Sequence, residues 1–301
     1  MNGIINVLKP PGMTSSDVVV YLRRKLRINK AGHTGTLDPE AAGVLPVCLG
    51  KATRVADYLM HRDKVYRCCI RLGITTDTSD LTGTVLSKTD KIPDLDRVKN
   101  ALSFFQGELE QIPPMYSAVK VKGKKLYELA RQGIEIERKP RKIQIYKNNF
   151  LLFMPPSEIL FETMCSKGTY IRALCRDIGE YLGCGAVMSY LIRVKSGEFS
   201  LQDSHTLEEI VKRHEEGKLE TLLVSMEGAL EPLLPSVFLG EECRKRISNG
   251  NQTGTDQIIR KTGNVIPGES CLVYCGSTFM GIGYISDNES RQVIRMKSVL
   301  I

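Results

Sequence analysis

The chain has 301 residues, room for two domains, and sets 42 Lys and Arg against 34 Asp and Glu for a net charge of +8. That balance favours a polyanionic partner, nucleic acid ahead of a membrane surface. No apolar run is long enough to span a membrane and the N-terminus lacks the basic-then-apolar layout of a signal peptide, so a cytoplasmic location is expected. Nine cysteines form no C-x-x-C, and His33, His61, His205 and His214 make no zinc-spaced set. Reduced, mostly buried thiols and no metal are expected.

Gly3 to Leu8 reads as a strand turned by Lys9-Pro10-Pro11-Gly12. Ser15 or Ser16 can cap a helix from Asp17 to Leu26, with Val18, Leu22 and Leu26 near helical spacing. Arg23, Arg24, Lys25 and Arg27 complement its dipole and lead a basic surface into the next loop. That loop is Gly32-His33-Thr34-Gly35-Thr36-Leu37-Asp38-Pro39. Its glycines let the backbone turn tightly or lie against a ligand, and Pro39 keeps Asp38 out of the helical region. Asp followed by Pro is also the pattern of a helix N-cap, and on this stretch alone the cap outranks a catalytic acid. His33 alone reads as a hydrogen-bonded loop histidine. Val44 to Leu49 follows as a buried strand. Gly50-Lys51 has Leu45 where a phosphate loop needs glycine, so a triphosphate site is rejected and a helix over Lys51 to Met60 expected.

Lys64 to Gly73 alternates like a strand, with Tyr66 between basic residues; by itself that ring reads as core packing. Ile74 to Gly83 is a turn region and Asp96 to Phe105 a helix. Gln111 to Lys120 is extended and proline-set. Basic residues then dominate: Lys120, Lys122, Lys124, Lys125, Arg131, Arg138, Lys139, Arg141, Lys142 and Lys147, with Tyr116, Tyr127 and Tyr146 interleaved and a helical patch at Leu126 to Arg131. A charge run is usually a solvated face, but few acids and interleaved aromatics suit an arm gripping an RNA backbone.

Ile159 to Cys165 reads as a strand and Tyr170 to Leu182 as a helix with a buried stripe of Ile171, Leu174, Cys175, Ile178 and Leu182. Arg172 sits in the first turn of that helix, where a positive charge opposes the dipole, so a carboxylate or phosphate should lie close. Thr206-Leu207-Glu208-Glu209 opens a surface helix to about Glu216 as a capping box. After Glu231-Pro232-Leu233-Leu234-Pro235-Ser236 come short strands at Leu272–Cys275, Phe279–Ile285 and Val293–Met296, a small β-rich second domain. Ser117-Ala118-Val119-Lys120, Lys261-Thr262-Gly263 and Ser286-Asp287-Asn288 match pieces of a serine acyl-enzyme signature in the wrong order, and Gly281-Ile282-Gly283 lacks the third glycine of a dinucleotide loop.

Taken together, the segments resemble the TruB-type tRNA pseudouridine synthases of bacteria, which act on the T-loop uridine at position 55. The likeness is carried by Lys9-Pro10-Pro11-Gly12 with Ser15-Ser16, by Gly32 to Pro39, by Lys64-Val65-Tyr66 and by Leu72-Gly73 with Thr76-Asp77-Thr78. It continues through Pro113-Pro114 with Tyr116-Ser117-Ala118 and through Ser166 to Arg172. The resemblance implies an α+β fold with a mixed, mainly antiparallel sheet flanked by helices. It implies a catalytic domain over 1–235 with a basic thumb at about 115–141, and a PUA-like RNA-binding domain over 236–301. It makes Asp38 the catalytic aspartate, stacks Tyr66 on the target uracil and pairs Arg172 with Asp38. Leu191 packs in the same pocket and His33 helps displace the base. After Leu191 the family commonly shows two arginines and a threonine; here Ile192-Arg193-Val194 puts a phosphate contact at position 192 in doubt.

Making pseudouridine breaks the N1–C1′ bond, turns the uracil and rejoins it through C5. No redox change or group donor is involved, so no cofactor is expected, and one carboxylate suffices as nucleophile or base. A base folded into an RNA loop must be flipped out at a cost of a few kcal/mol, and stacking on an aromatic ring offsets roughly 1–3 kcal/mol of it. The expected partner is tRNA, with no membrane and a monomer that needs no obligate protein partner. The competing reading is a non-catalytic tRNA-binding or chaperone module in which Asp38 is only a cap. A glycosidase-like hydrolase would want a second carboxylate, and Glu40 is the only near one.

Overall fold

The computed structural model describes residues 1–301 except 118, 122, 131, 289 and 290, and for 120, 124, 125 and 127 it describes backbone only. The side chains expected to grip RNA at Lys120, Lys122, Lys124, Lys125, Tyr127 and Arg131 therefore lie outside the described residues. In chain order the elements begin with β1 (Gly3–Lys9), α1 (Ser15–Lys25), β2 (Ala31–His33), β3 (Ala42–Leu49), α2 (Ala56–Met60), β4 (Lys64–Leu72), β5 (Ile74–Thr76), β6 (Val85–Lys88), α3 (Leu95–Phe104) and β7 (Gly107–Gln111). Then come β8 (Lys120–Val121), β9 (Lys124–Lys125), α4 (Leu126–Ala130), β10 (Arg141–Met154), β11 (Glu158–Cys165), α5 (Ile171–Leu182), β12 (Ala186–Ser196), β13 (Phe199–Ser200), α6 (Leu207–Glu215), β14 (Leu223–Val224) and α7 (Met226–Leu230). The C-terminal part holds β15 (Ser236–Leu239), α8 (Arg244–Ser248), β16 (Thr253–Gly254), β17 (Ile258–Thr262), β18 (Ser270–Cys275), β19 (Thr278–Asn288) and β20 (Arg291–Val299).

The large sheet runs β14-β1-β3-β12-β4-β11-β10-β7, with β2 paired to β3 and β13 to β12. Every pairing in it is antiparallel except β3 with β12. It is the mixed, mainly antiparallel sheet of an α+β fold. Side-chain alternation divides the apolar residues of β1 and β3 between two faces. Ile5, Val7, Leu45, Val47 and Leu49 pack with Val18 and Leu22 of α1 and Ile210 of α6. Ile4, Val44 and Cys48 face the other way and join Leu272, Tyr274 and Ile282 of the second sheet. The two sheets thus share a hydrophobic cluster, and removing the chain after Ser236 would bare it to water. That second sheet is ordered β16-β20-β19-β18-β15-β17.

Several elements differ from the sequence reading. The cap of α1 is Thr14, whose Oγ1 accepts from the Asp17 N–H at 3.0 Å while the Asp17 carboxylate accepts from the Thr14 N–H at 2.9 Å. Ser15 is therefore free to serve another loop. The expected helix over Lys51 to Met60 is a 3₁₀ turn at Gly50–Arg54 followed by the one-turn α2. Ile74 to Gly83 is more than a turn, since β5 pairs back with β6. Arg141, Lys142 and Lys147 belong to β10, a sheet strand rather than the arm, because Ile143 and Ile145 between them are buried in the core. All nine cysteines are free thiols and buried.

Candidate active site

The loop from Thr34 to Ala41 is held from several sides before any ligand is considered. Thr34 is fully buried, and its N–H donates to the Pro46 carbonyl at 3.0 Å. The Leu37 N–H donates to Ser15 Oγ at 2.8 Å, and Ser15 Oγ in turn donates to the Leu37 carbonyl at 3.3 Å. Lys9, also fully buried, donates from Nζ to the carbonyls of Pro10, Pro39 and Ala41 at 2.8, 2.9 and 2.7 Å. Burial pulls the Lys9 ammonium down to about 8. Asp38 itself starts a turn closed by the Ala41 N–H on its carbonyl at 3.1 Å, after which Ala42 enters β3. No helix follows, so the Asp-Pro pair is not a cap here; Pro39 supplies the second position of a turn.

Substituting Lys9 by methionine keeps the length and removes three hydrogen bonds from a charged donor. The expected result is a stability loss of about 3 kcal/mol, below the additive sum because the cost of burying the charge also disappears. Urea unfolding checks this, and a variant as stable as the parent would mean that Lys9 does not hold the loop.

The Asp38 carboxylate points to Arg172, which α5 delivers from 134 positions away. Arg172 Nε lies 2.8 Å from Oδ2, and Nη2 lies 3.1 Å from Oδ1, a two-pronged pair. The guanidinium is buried, and its remaining donors go to the Tyr116 carbonyl at 2.7 Å and the Thr78 carbonyl at 3.3 Å, with Asp80 Oδ2 3.7 Å away. These acceptors offset the unfavourable place of a cation in the first turn of α5. The helix start is fixed by Gln111, whose side chain accepts from the Tyr170 N–H at 2.8 Å and donates to the Tyr170 carbonyl at 3.0 Å. Gly183, at φ 77°, ends the helix in the left-handed region that glycine adopts without strain. Although Arg172 is enclosed, the Asp38 side chain is 37% exposed, so solvent or a ligand can reach it.

Tyr66 and Leu191 are buried in one apolar cluster with Leu37, Ala41 and Ile171, on the neighbouring strands β4 and β12. Burial pushes the Tyr66 phenol up, with the Asp38 charge adding to the rise. His33 stands apart on β2, half-buried, and its Nδ1 accepts from the Gly35 N–H at 3.3 Å. Burial, then the nearby Arg193 charge, lowers the His33 imidazole, which favours its neutral form. Asp38 and Arg172 are in contact, Tyr66 and Leu191 share the cluster beneath the loop, and His33 lies at its margin.

Three further side chains belong to this constellation and were not read from the sequence as site residues. Asp80 sits beside Arg172, its Oδ1 accepting from Thr78 Oγ1, the Thr82 N–H and Thr82 Oγ1 at 2.7, 2.9 and 2.6 Å. Lys9 and Arg193 grip the loop from below. Arg193 carries no local signal, because it interrupts the apolar alternation of its strand, and a lone Asp in a Thr-rich turn carries none either.

The TruB family pseudouridylate synthase N-terminal domain model matches residues 23–171, and the tRNA pseudouridylate synthase B C-terminal domain model matches residues 172–231. A tRNA pseudouridine synthase B from Alkaliphilus oremlandii is 45% identical over 292 residues, covering 97% of this chain and 96% of the relative. The chain belongs to the TruB family of pseudouridylate synthases. The protein of the same name from Clostridioides difficile is 42% identical over 305 residues, covering 100% of each. Among solved structures, a Cbf5-Nop10-Gar1 complex matches with a TM-score of 0.78 and 28% identity over 99% of this chain and 85% of the other. The boundary between the two family models falls between Ile171 and Arg172, so the first carries Asp38 and Tyr66 and the second carries Arg172 and Leu191. Members of this family are pseudouridylate synthases, isomerases of a nucleoside.

Proposed function

We propose that this TruB-family chain isomerises the T-loop uridine at position 55 of tRNA to pseudouridine by flipping the base out, cleaving its glycosidic bond and reattaching it through C5. Asp38 is the catalytic group, Arg172 fixes and charge-balances it, Tyr66 stacks on the uracil, Leu191 forms the pocket floor and His33 helps displace the base. The observation that carries this reading is the forked Asp38–Arg172 pair, with an enclosed guanidinium and a carboxylate open to solvent above the Tyr66–Leu191 cluster. It is supported by relatives named tRNA pseudouridine synthase B that align over the whole chain. A carboxylate so placed can attack the sugar or the base, or remove a sugar proton, while the uracil turns against an apolar floor.

Residues 1–235 carry catalysis, with residues of about 115–141 as a thumb over the RNA, and 236–301 form a PUA-like RNA-binding domain. No cofactor takes part. The chain acts in the cytoplasm and as a monomer, although the Cbf5 of the solved neighbour is held with Nop10 and Gar1. Among the described residues, no helix is long and apolar enough to cross a membrane. The test is to incubate the purified chain with unmodified tRNA and map pseudouridine chemically along the transcript. Modification confined to the T-loop position is the expected result; none at that position overturns the reading, and tRNA binding without modification would favour the binding-module alternative.

A further inference from the structure

Among the described residues Arg193 is the bulkiest of the fully buried side chains, at 1% exposure. Its Nε donates to the Val44 carbonyl at 2.7 Å and its Nη2 to the Gly35 carbonyl at 3.1 Å. Those two carbonyls bracket the loop that carries Asp38, one on each side. Tyr66 is its cross-strand partner in the β12–β4 ladder, so the two side chains stand on the same face of the sheet. Among the described residues no carboxylate forms an ion pair with it, although Arg172 nearby has two within 4 Å. A buried cation without a counter-ion is costly, and a long apolar residue would fill the same strand position at less expense. What the guanidinium adds is geometry: donors in a rigid plane, aimed at the two fixed carbonyls of Val44 and Gly35.

The backbone at Arg193 is equally constrained. It pairs with Gly43 in the one parallel ladder of the large sheet, where Gly43 has φ 110° and a Cβ there would come within 2.2 Å of the Arg193 carbonyl oxygen. The two strands therefore close on each other only with glycine on β3, and this approach brings the Arg193 side chain under the loop.

The geometry points to Arg193 as a positioning residue for the reaction: it ties both ends of the Asp38 loop together beside Tyr66 and so sets how the acid and the ring face a flipped base. This assignment rests on the proposed function and goes beyond it, because Arg193 touches neither substrate nor reacting atoms. Misplacing a reacting group by about 1 Å can cost roughly 10²-fold in rate, which is the size of effect expected when this tie is cut.

The test is a double-mutant cycle on the full chain, read as single-turnover pseudouridine formation on unmodified tRNA, with tRNA affinity and urea unfolding measured in parallel. Arg193→Met is expected to fold, to bind tRNA as the parent does, and to turn over about 10²-fold more slowly. In a Tyr66→Phe background, where the hydroxyl is already gone, the same substitution is expected to cost markedly less, because the positioning role runs partly through that hydroxyl on the facing strand. Equal losses in both backgrounds, a loss of affinity alone, or an unchanged rate would each overturn the assignment. If Arg193→Met does not fold, Arg193→Lys enters the same cycle, since lysine keeps the charge but lacks the planar fork that spans the Val44 and Gly35 carbonyls. The parent enzyme separates the two ideas: if it makes no pseudouridine the proposed function fails, whereas an active parent with an equally fast Arg193 variant removes only the positioning role.

Discussion

Replacing Asp38 by asparagine is expected to abolish pseudouridine formation while leaving the fold and tRNA affinity nearly intact. A positioned acid–base group supplies up to about 10⁴-fold in rate, and a group that also bonds to the substrate supplies more, so single-turnover formation should fall by at least about that factor. Asparagine retains one oxygen that can accept from Arg172 but has no charge to attack or to take a proton. Stability should change little, by about 1 kcal/mol or less, because the Asp38 side chain is 37% exposed and its ion pair is screened on that side. Arg172 keeps the Tyr116 and Thr78 carbonyls and the Asp80 carboxylate, so the enclosed guanidinium is not orphaned. Rapid-quench assays on radiolabelled tRNA, with filter binding alongside, measure both quantities. Full activity in the variant would remove Asp38 from the chemistry, and a loss of binding as large as the loss of rate would make it part of the scaffold instead.

How much of this arrangement is legible in the chain depends on how local each signal is. The amphipathic stripe of α5 and the Thr206 cap of α6 are written within single turns, and both helices form within a residue or two of where they were expected. Strand β10 is not legible. Its exposed positions include Arg141, Lys142 and Lys147, so the segment reads as a charged arm, and only pairing with β7 and β11 makes Ile143 and Ile145 core residues. Strand β12 hides for a related reason: Arg193 at a buried position breaks the apolar alternation that would announce a strand. The Asp38-Pro39 step shows the limit most clearly. As a local pattern it is a helix start, but the chain returns at once to β3 because Val44, Leu45 and Val47 have β1 and its two hydrophobic clusters to join. Tertiary pairing overrides the local preference, and the carboxylate left uncapped is the one that meets Arg172.

Arg172→Met should cost both stability and rate, and that joint loss sets it apart from Asp38→Asn. Methionine leaves Asp38 and Asp80 without the cation between them and strands the Thr78 and Tyr116 carbonyls in a buried setting. Breaking a buried charge pair costs roughly 3–5 kcal/mol; with one partner partly solvated, about 3 kcal/mol is expected. The rate should fall by about 10²–10³-fold, the range for losing a preorganised electrostatic contact, as the carboxylate loses its fixed direction. Arg172→Lys keeps the charge but cannot make the forked contact while also bonding two carbonyls, so it should recover part of the stability and little of the rate. The decisive comparison is the double variant Asp38→Asn with Arg172→Met, followed by urea unfolding. If the two side chains stabilise the fold through one shared pair, the neutral asparagine removes a repulsion that methionine created, and the combined loss should fall short of the sum by about 1 kcal/mol or more. Strict additivity would mean that Arg172 braces the fold through Thr78, Tyr116 and Asp80 alone, and the orientation of Asp38 would then need another source.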